Sequence, residues 1–173
     1  MLLWFAGCSL VIVWQVFRDP AIDHRLVVAG ALLPDAVDGF LGGPRYLHTL
    51  AGSVALLAAV MAGTRGRRAW RRRLLALPIG TFLHLVLDAM WARTKVFWWP
   101  VSGLALPGHG LPSLSRPAAV LVVQELVGAA ALVWWWRRFR LSEPERRHLF
   151  VTTGRLGRDL AGEGPTHGPA RRA

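Results

Sequence analysis

The chain has 173 residues, of which 53% are hydrophobic, and its formal net charge is +11. A soluble domain of this length could not bury so much apolar side chain, so the composition predicts a membrane protein. Long apolar runs interrupt the arginines, which argues against a nucleic-acid-binding stripe, and the single Cys8 excludes an internal disulfide and a thiolate zinc site.

Five apolar segments follow one another along the chain, and each predicts a transmembrane helix: 2–17, 26–41, 47–63, 74–92 and 118–136. The first lacks a basic region and a cleavage pattern, so we expect a retained helix and not a signal peptide. A crossing takes about 17 to 25 residues. The second segment is therefore short, and Pro34 predicts a broken, tilted or re-entrant helix there.

The fold class predicted is all-α, a polytopic membrane bundle of about five helices in residues 1–140. Residues 141–173 are predicted to be a basic, largely disordered cytoplasmic tail. The segment 64–73 contains six arginines and a second cluster begins at Arg137, so both should lie in the cytoplasm. Counting helices between them places the N-terminus outside. We expect the arginine-rich loop to contact anionic lipid headgroups, and the proline-rich loop 93–117 to be irregular and outside.

Several ionisable residues fall inside these apolar segments, where an unpaired charge costs several kcal/mol. Asp35 and Asp38 are spaced i and i+3, and His84 and Asp88 are spaced i and i+4. Each pair therefore shares one face of a helix. His48 opens the third apolar segment. Imidazole and carboxylate groups together are ligands for zinc, manganese or iron, so we predict a site for one or two divalent ions, with zinc expected.

Depth in the membrane supports grouping these five residues. At a rise of about 1.5 Å per residue, they lie about 15 to 25 Å from the nearest inner arginine, and Glu125 lies at about 18 Å. All could meet in one layer of the outer half. Glu125 is a candidate general base or extra ligand, while His109 reads as a loop residue. Alternatively, the Asp pair caps a helix break and His84 with Asp88 locks two helices together.

The motifs GALLPDAVDG (30–39), RYLHTLAGS (45–53) and GTFLHLVLDAMWARTKVFWWPVSG (80–103) occur in this order. In order and combination they resemble the membrane-bound YdjM-type metal-dependent hydrolases of bacteria. The resemblance covers under half of the chain. It implies metal-site roles for Asp35, Asp38, His48, His84 and Asp88, and a bacterial inner-membrane location. Many relatives carry a further His upstream of the one matching His48, and this chain does not.

Three functions remain open from the sequence. The first is a hydrolase that uses the ion to activate water, with a carboxylate or Glu125 as general base, on a lipid ester or phosphoester near the outer leaflet. Its interfacial rim would be the region of Trp91, Trp98, Trp99 and Pro100. The second is a transporter or an ion- or proton-conducting protein. The third is a structural membrane protein with a polar packing cluster. No cofactor beyond the metal is indicated, and the oligomeric state is open.

Overall fold

The computed structural model describes residues 1–40, 46–105 and 116–157. Within these ranges the chain is helical and contains no strand, which confirms the all-α class. The α-helices are α1 (Leu2–Phe17), α2 (His24–Phe40), α3 (Leu50–Gly63), α4 (Arg68–Leu74), α5 (Ala76–Leu87), α6 (Thr94–Phe97), α7 (Ala118–Arg138) and α8 (Pro144–Thr153). Short 3-10 turns span Tyr46–His48 and Met90–Ala92.

The third predicted segment is divided by a helix cap. Thr49 has an extended backbone, and its hydroxyl accepts a hydrogen bond from the amide of Gly52 at 2.8 Å. Such a cap satisfies one of the donors that the first turn of a helix leaves unpaired. Helix α3 therefore begins at Leu50, and His48 falls in the 3-10 turn before it. In the predicted outer loop, α6 is a single helical turn, and residues 106–115, which include His109, lie outside the described residues.

Helix α2 is not broken at Pro34, which corrects the predicted interruption. Proline removes the donor that would bond the carbonyl four residues earlier, here that of Gly30. The hydroxyl of Thr81 in α5 donates to this carbonyl at 3.1 Å. The neighbouring helix thus replaces the lost bond, and α2 continues to Phe40.

Glycines let the helices pack backbone to backbone in two pairs. A Cβ atom at Gly30 would clash with the Leu77 carbonyl, and one at Gly80 would clash with the Val27 carbonyl. Helices α2 and α5 therefore touch along their main chains. They run in the same direction, since Arg73 bonds Asp23 before both helices begin and His84 faces Asp35 further along both. Helices α1 and α7 form an equivalent pair, in which Gly7 packs on the carbonyl of Gly128. Small residues at a helix contact are typical of membrane helix pairs, where close approach supplies the packing energy.

One described helix, α7, is long and apolar enough to cross a membrane, while α1 and α3 are apolar but shorter. Only 11% of the most apolar window of α7 is buried. Its outward side chains include Val122, Val123 and Leu126, each more than half exposed. A core helix of a soluble protein would hide these groups, so α7 has the exposure expected of a helix in contact with lipid. Five membrane crossings stay a prediction from the sequence.

A buried ionic cluster joins α2, α4 and the C-terminal segment. The carboxylate of Asp23 is 1% exposed and accepts hydrogen bonds from Arg25 and Arg73. Burial would raise the pKa of this carboxyl, but the hydrogen bonds and charges of the two arginines outweigh it and lower the pKa. The backbone amide of His24 also bonds the Gly154 carbonyl at 2.8 Å. This contact ties the end of α8 to the start of α2.

The helix α8 departs from the sequence expectation, because residues 144–153 lie in the segment predicted to be a largely disordered tail. Its first turn begins at Pro144, a position where proline suits a helix. After it, the amide of Leu156 bonds the carbonyl of Pro20, and the Leu156 side chain is buried. These contacts dock the segment after α8 against the bundle, and residues from 158 onward lie outside the described residues.

We predict that Asp23→Asn lowers the stability of the protein by about 1 kcal/mol at neutral pH, since the arginine partners are partly exposed. A carboxyl group whose pKa is lower in the folded state contributes its full stabilisation at pH values above its unfolded pKa of about 3.9. This contribution is lost as the pH falls through the folded pKa. Thermal unfolding in detergent from pH 7 to pH 3 should show the two proteins converging at the acid end. A constant difference across that range would contradict this origin.

Candidate metal centre

Three of the five predicted ligands come together toward the C-terminal end of α2. Asp35 of α2, His48 of the 3-10 turn and His84 of α5 each offer one ligand atom, and these atoms lie within 4.8 Å of one another. The Oδ1 atom of Asp35 is 3.4 Å from Nε2 of His48 and 3.6 Å from Nε2 of His84. We call these three residues the metal triad. The described residues contain this one group of three potential ligands.

The spacing of the ligand atoms fits a small divalent ion. Zinc binds nitrogen and oxygen at about 2.0 to 2.2 Å in tetrahedral geometry, which places neighbouring ligand atoms about 3.4 Å apart. The two Asp35 distances, 3.4 and 3.6 Å, agree with that value, and the two Nε2 atoms lie within 4.8 Å of each other, so a small approach of the rings would complete the geometry. Two imidazoles and one carboxylate are also the donor set of catalytic zinc sites that leave a fourth position open. The residues present therefore fit the predicted group.

His84 is oriented by a backbone carbonyl of α2. Its Nδ1 atom is 2.7 Å from the carbonyl oxygen of Ala31, three residues before Pro34. A carbonyl can only accept, so Nδ1 carries the proton and, in the neutral ring, Nε2 carries the lone pair. The ring of Phe5 in α1 stacks on His84 at 4.0 Å and closes its other side. His84 is thus held between the Ala31 carbonyl of α2 and the Phe5 ring of α1.

His48 is oriented by Asp38. The Oδ2 atom of Asp38 accepts from Nδ1 of His48 at 2.7 Å and from its backbone amide at 3.2 Å. This is the carboxylate–imidazole pairing that holds metal-binding histidines and strengthens them as ligands. Asp38 therefore contacts Nδ1 of His48, while Asp35 faces Nε2 of the same ring. The two carboxylates predicted on one face of α2 have different partners on the same ring.

The facing Nε2 atoms of His48 and His84 are buried and make no hydrogen bond within the described part of the chain. Both rings are fully buried, whereas the Asp35 side chain is 17% exposed. A buried polar atom without a partner carries a desolvation penalty of about 1 to 3 kcal/mol. Two such atoms aimed at one carboxylate point to an ion as the missing partner. Asp35 marks the side from which the ion would reach the triad.

Asp88 caps the end of α5, and its amide bonds the His84 carbonyl at 2.9 Å. Its Oδ1 atom pairs with Arg116 at 2.9 Å, and the same guanidinium nitrogen bonds the Asp88 carbonyl. The other terminal nitrogen of Arg116, Nη1, donates to the side-chain oxygen of Gln124. The sequence reasoning missed Arg116, because an arginine in a proline-rich loop reads as a surface residue. Asp88 Oδ2 is buried and makes no hydrogen bond among the described residues.

The remaining candidates lie apart from the triad. Glu125 of α7 accepts a hydrogen bond from the amide of Leu3 at 3.1 Å, at the first turn of α1. It is not part of the ligand group, and its role as general base remains a prediction. His24 packs against Trp135 and bonds Gly154 through Nδ1, so it belongs with the Asp23 cluster at the other end of α2.

Comparison of the chain with protein-family models, with curated proteins and with solved structures finds no significant match.

Proposed function

We propose that the chain is a membrane-embedded, metal-dependent hydrolase of the YdjM type, acting on an ester or phosphoester bond of a lipid. The observation that carries this proposal is the metal triad, whose two buried Nε2 atoms face Asp35 without hydrogen-bond partners in the described chain. In the structural alternative, a protonated imidazole would pair with Asp35 across the same 3.4 and 3.6 Å, so metal analysis of the purified protein separates the two functions.

Placement in the bacterial inner membrane, with five crossings and the N-terminus outside, belongs to the same proposal. Helices α1 and α7 run in one direction, since Leu3 contacts Glu125 and Trp14 contacts Phe139. The arginine-rich α4 and the C-terminal segment meet at the Asp23 cluster, as expected if both face the cytoplasm. The exposed arginines of α4 would then contact anionic lipid headgroups, while apolar side chains on α7 face the lipid tails.

A divalent ion, which we expect to be zinc, would lower the pKa of a water molecule and polarise the bond to be hydrolysed. The residues of the chain would do the rest. Asp38 and the Ala31 carbonyl hold the two imidazoles with their lone pairs toward the ion. Asp88 is a candidate to accept the proton from water, through the oxygen that Arg116 leaves unpaired. Arg116 would attract an anionic substrate to this end of the bundle.

A transporter or an ion-conducting protein would instead need polar groups along the whole depth of the membrane. The triad and the Asp23 cluster lie toward opposite ends of α2, and between them α2 presents only Leu, Val, Ala, Gly and Pro. This separation favours a site over a path.

The proposal is tested on the full chain purified in detergent. Elemental mass spectrometry should find about one zinc, manganese or iron per chain, and removing it with a chelator should abolish hydrolysis of a phospholipid panel until the metal is restored. Release of fatty acid or of headgroup phosphate identifies the bond that is cut. Protein that binds no divalent ion, even after supplementation, would overturn the proposal and favour the packing alternative.

We predict that Asp38→Ala lowers the zinc affinity about 10- to 100-fold without removing the site, because His48 loses the group that orients it. Competition with a chromophoric chelator measures the change. Asp19→Ala is the matched control, since among the described residues the Asp19 carboxylate accepts one hydrogen bond, from the nearby amide of Ala21. Equal affinities in both variants would show that Asp38 does not support a ligand.

A further inference from the structure

An apolar groove of about 350 Å³ lies between α1, α3 and α5. Helix α3 packs against α5 but hardly contacts α1, so a gap remains between them. Its walls include Ile12, Phe17, Leu50, Leu57, Pro78 and Phe82. Among the described residues that line it, Ser53 alone is polar, and its side chain is buried. The volume falls in the range of small-molecule sites, about 300 to 1,000 Å³.

The groove starts beside the metal triad and leads away from it. Leu50 follows His48 by two residues, and the lining residue Leu83 directly precedes His84. From Leu50 to Leu57 the groove follows α3 for about 10 Å, at a rise of about 1.5 Å per residue. The end of the groove at Leu50 and Leu83 therefore lies next to the polar triad along the chain, while the lining of the groove itself is hydrocarbon apart from Ser53.

This polarity pattern selects the occupant. A polar ligand would need several convergent hydrogen-bonding groups to replace its water, and the groove offers a single serine. An elongated amphiphile matches both ends, because its polar linkage can lie at the triad while its chain follows the apolar walls. Lipids are the molecules of this kind that a membrane protein meets at high concentration.

We propose that this groove holds one acyl chain of the lipid whose ester or phosphoester bond lies at the metal triad. The identity of the cleaved lipid rests on the proposed function, but occupancy of the groove does not require catalysis. The binding free energy of the acyl chain would come from close packing against the groove walls, because lipid tails are as apolar as the groove. A side chain that fills the groove should therefore displace the acyl chain.

Photo-crosslinking in proteoliposomes tests this. The vesicles contain phosphatidylglycerol with a diazirine in one acyl chain, and the labelled residues are mapped by peptide mass spectrometry. We expect adducts enriched on the groove walls of α3 and α5 relative to the lipid-exposed face of α7. Leu57→Trp, which fills the groove, should reduce groove labelling several-fold, whereas Val123→Trp on α7 should leave it unchanged.

Each outcome separates this inference from the proposed function. Groove labelling that persists after chelation, in protein that hydrolyses no lipid, would support the groove and remove the hydrolase. Adducts distributed only by exposure, or unaffected by Leu57→Trp, would overturn the acyl-chain site in the groove. Catalysis without groove labelling would leave the hydrolase standing and reject the acyl-chain site.

Discussion

Zinc binding should be abolished when His48 and His84 are both replaced by Ala. Each ring supplies a buried Nε2 atom that faces Asp35, so the double variant leaves a single carboxylate in place of three ligand groups. Changes to groups that only support a ligand already reduce affinity about 10- to 100-fold, so losing two ligands should exceed that range. Elemental mass spectrometry and chelator competition on the purified variant measure the loss.

The control for this experiment is His148→Ala. His148 lies on an exposed face of α8. Its carbonyl accepts a hydrogen bond from the Thr152 hydroxyl, and its ring makes none with the other described residues. This variant should bind as much zinc as the original chain. Because the double variant also removes two buried rings, its fold must be checked by circular dichroism. A folded double variant that retains zinc would place the metal elsewhere and reject the triad.

Each of the five apolar segments predicted from hydropathy contains a helix in the structure, with differences at the ends. The first apolar segment and α1 have the same bounds, and the last differs from α7 by two residues. Helices α4 and α8 were missed because they are short and polar, so no apolar run marks them. Their positions depend on contacts with distant residues, such as Arg73 with Asp23 and Gly154 with His24.

Pro34 shows why the interruption of α2 could not be predicted correctly. A proline lacks a hydrogen-bond donor, and the sequence alone indicates only that a carbonyl loses its partner. Whether the helix then breaks depends on what lies beside that carbonyl. Thr81 occupies that place, 51 residues away in the chain, and preserves the helix.

The three residues of the metal triad are among the five ligands predicted from the sequence, but their separate roles were not predicted. The spacing of Asp35 and Asp38 places both on one face of α2, and their depth matches that of His84. Which carboxylate faces the ligand nitrogen depends on the position of His48, which the Thr49 cap and the preceding turn determine. Arg116 had no signal at all, because its importance comes only from its contact with Asp88.

The contact between α2 and α5 determines whether His84 can reach the Ala31 carbonyl, so Gly80→Ala should damage both the fold and the site. A Cβ atom at this position would meet the Val27 carbonyl and the Ala31 amide, which are backbone atoms that cannot rotate away. Overpacking of this kind typically costs about 1 to 3 kcal/mol, and we expect the upper part of that range here.

Gly63→Ala is the matched control, since the same methyl group at the end of α3 meets no atom within 4 Å. There alanine should be neutral or stabilise the helix by up to about 1 kcal/mol. We expect the unfolding temperature in detergent and the zinc affinity to fall together for Gly80→Ala. For Gly63→Ala, both should remain unchanged or rise. If Gly80→Ala lost stability but kept its zinc affinity, the position of His84 would not depend on the α2–α5 contact, and the link between helix packing and the metal centre would have to be abandoned.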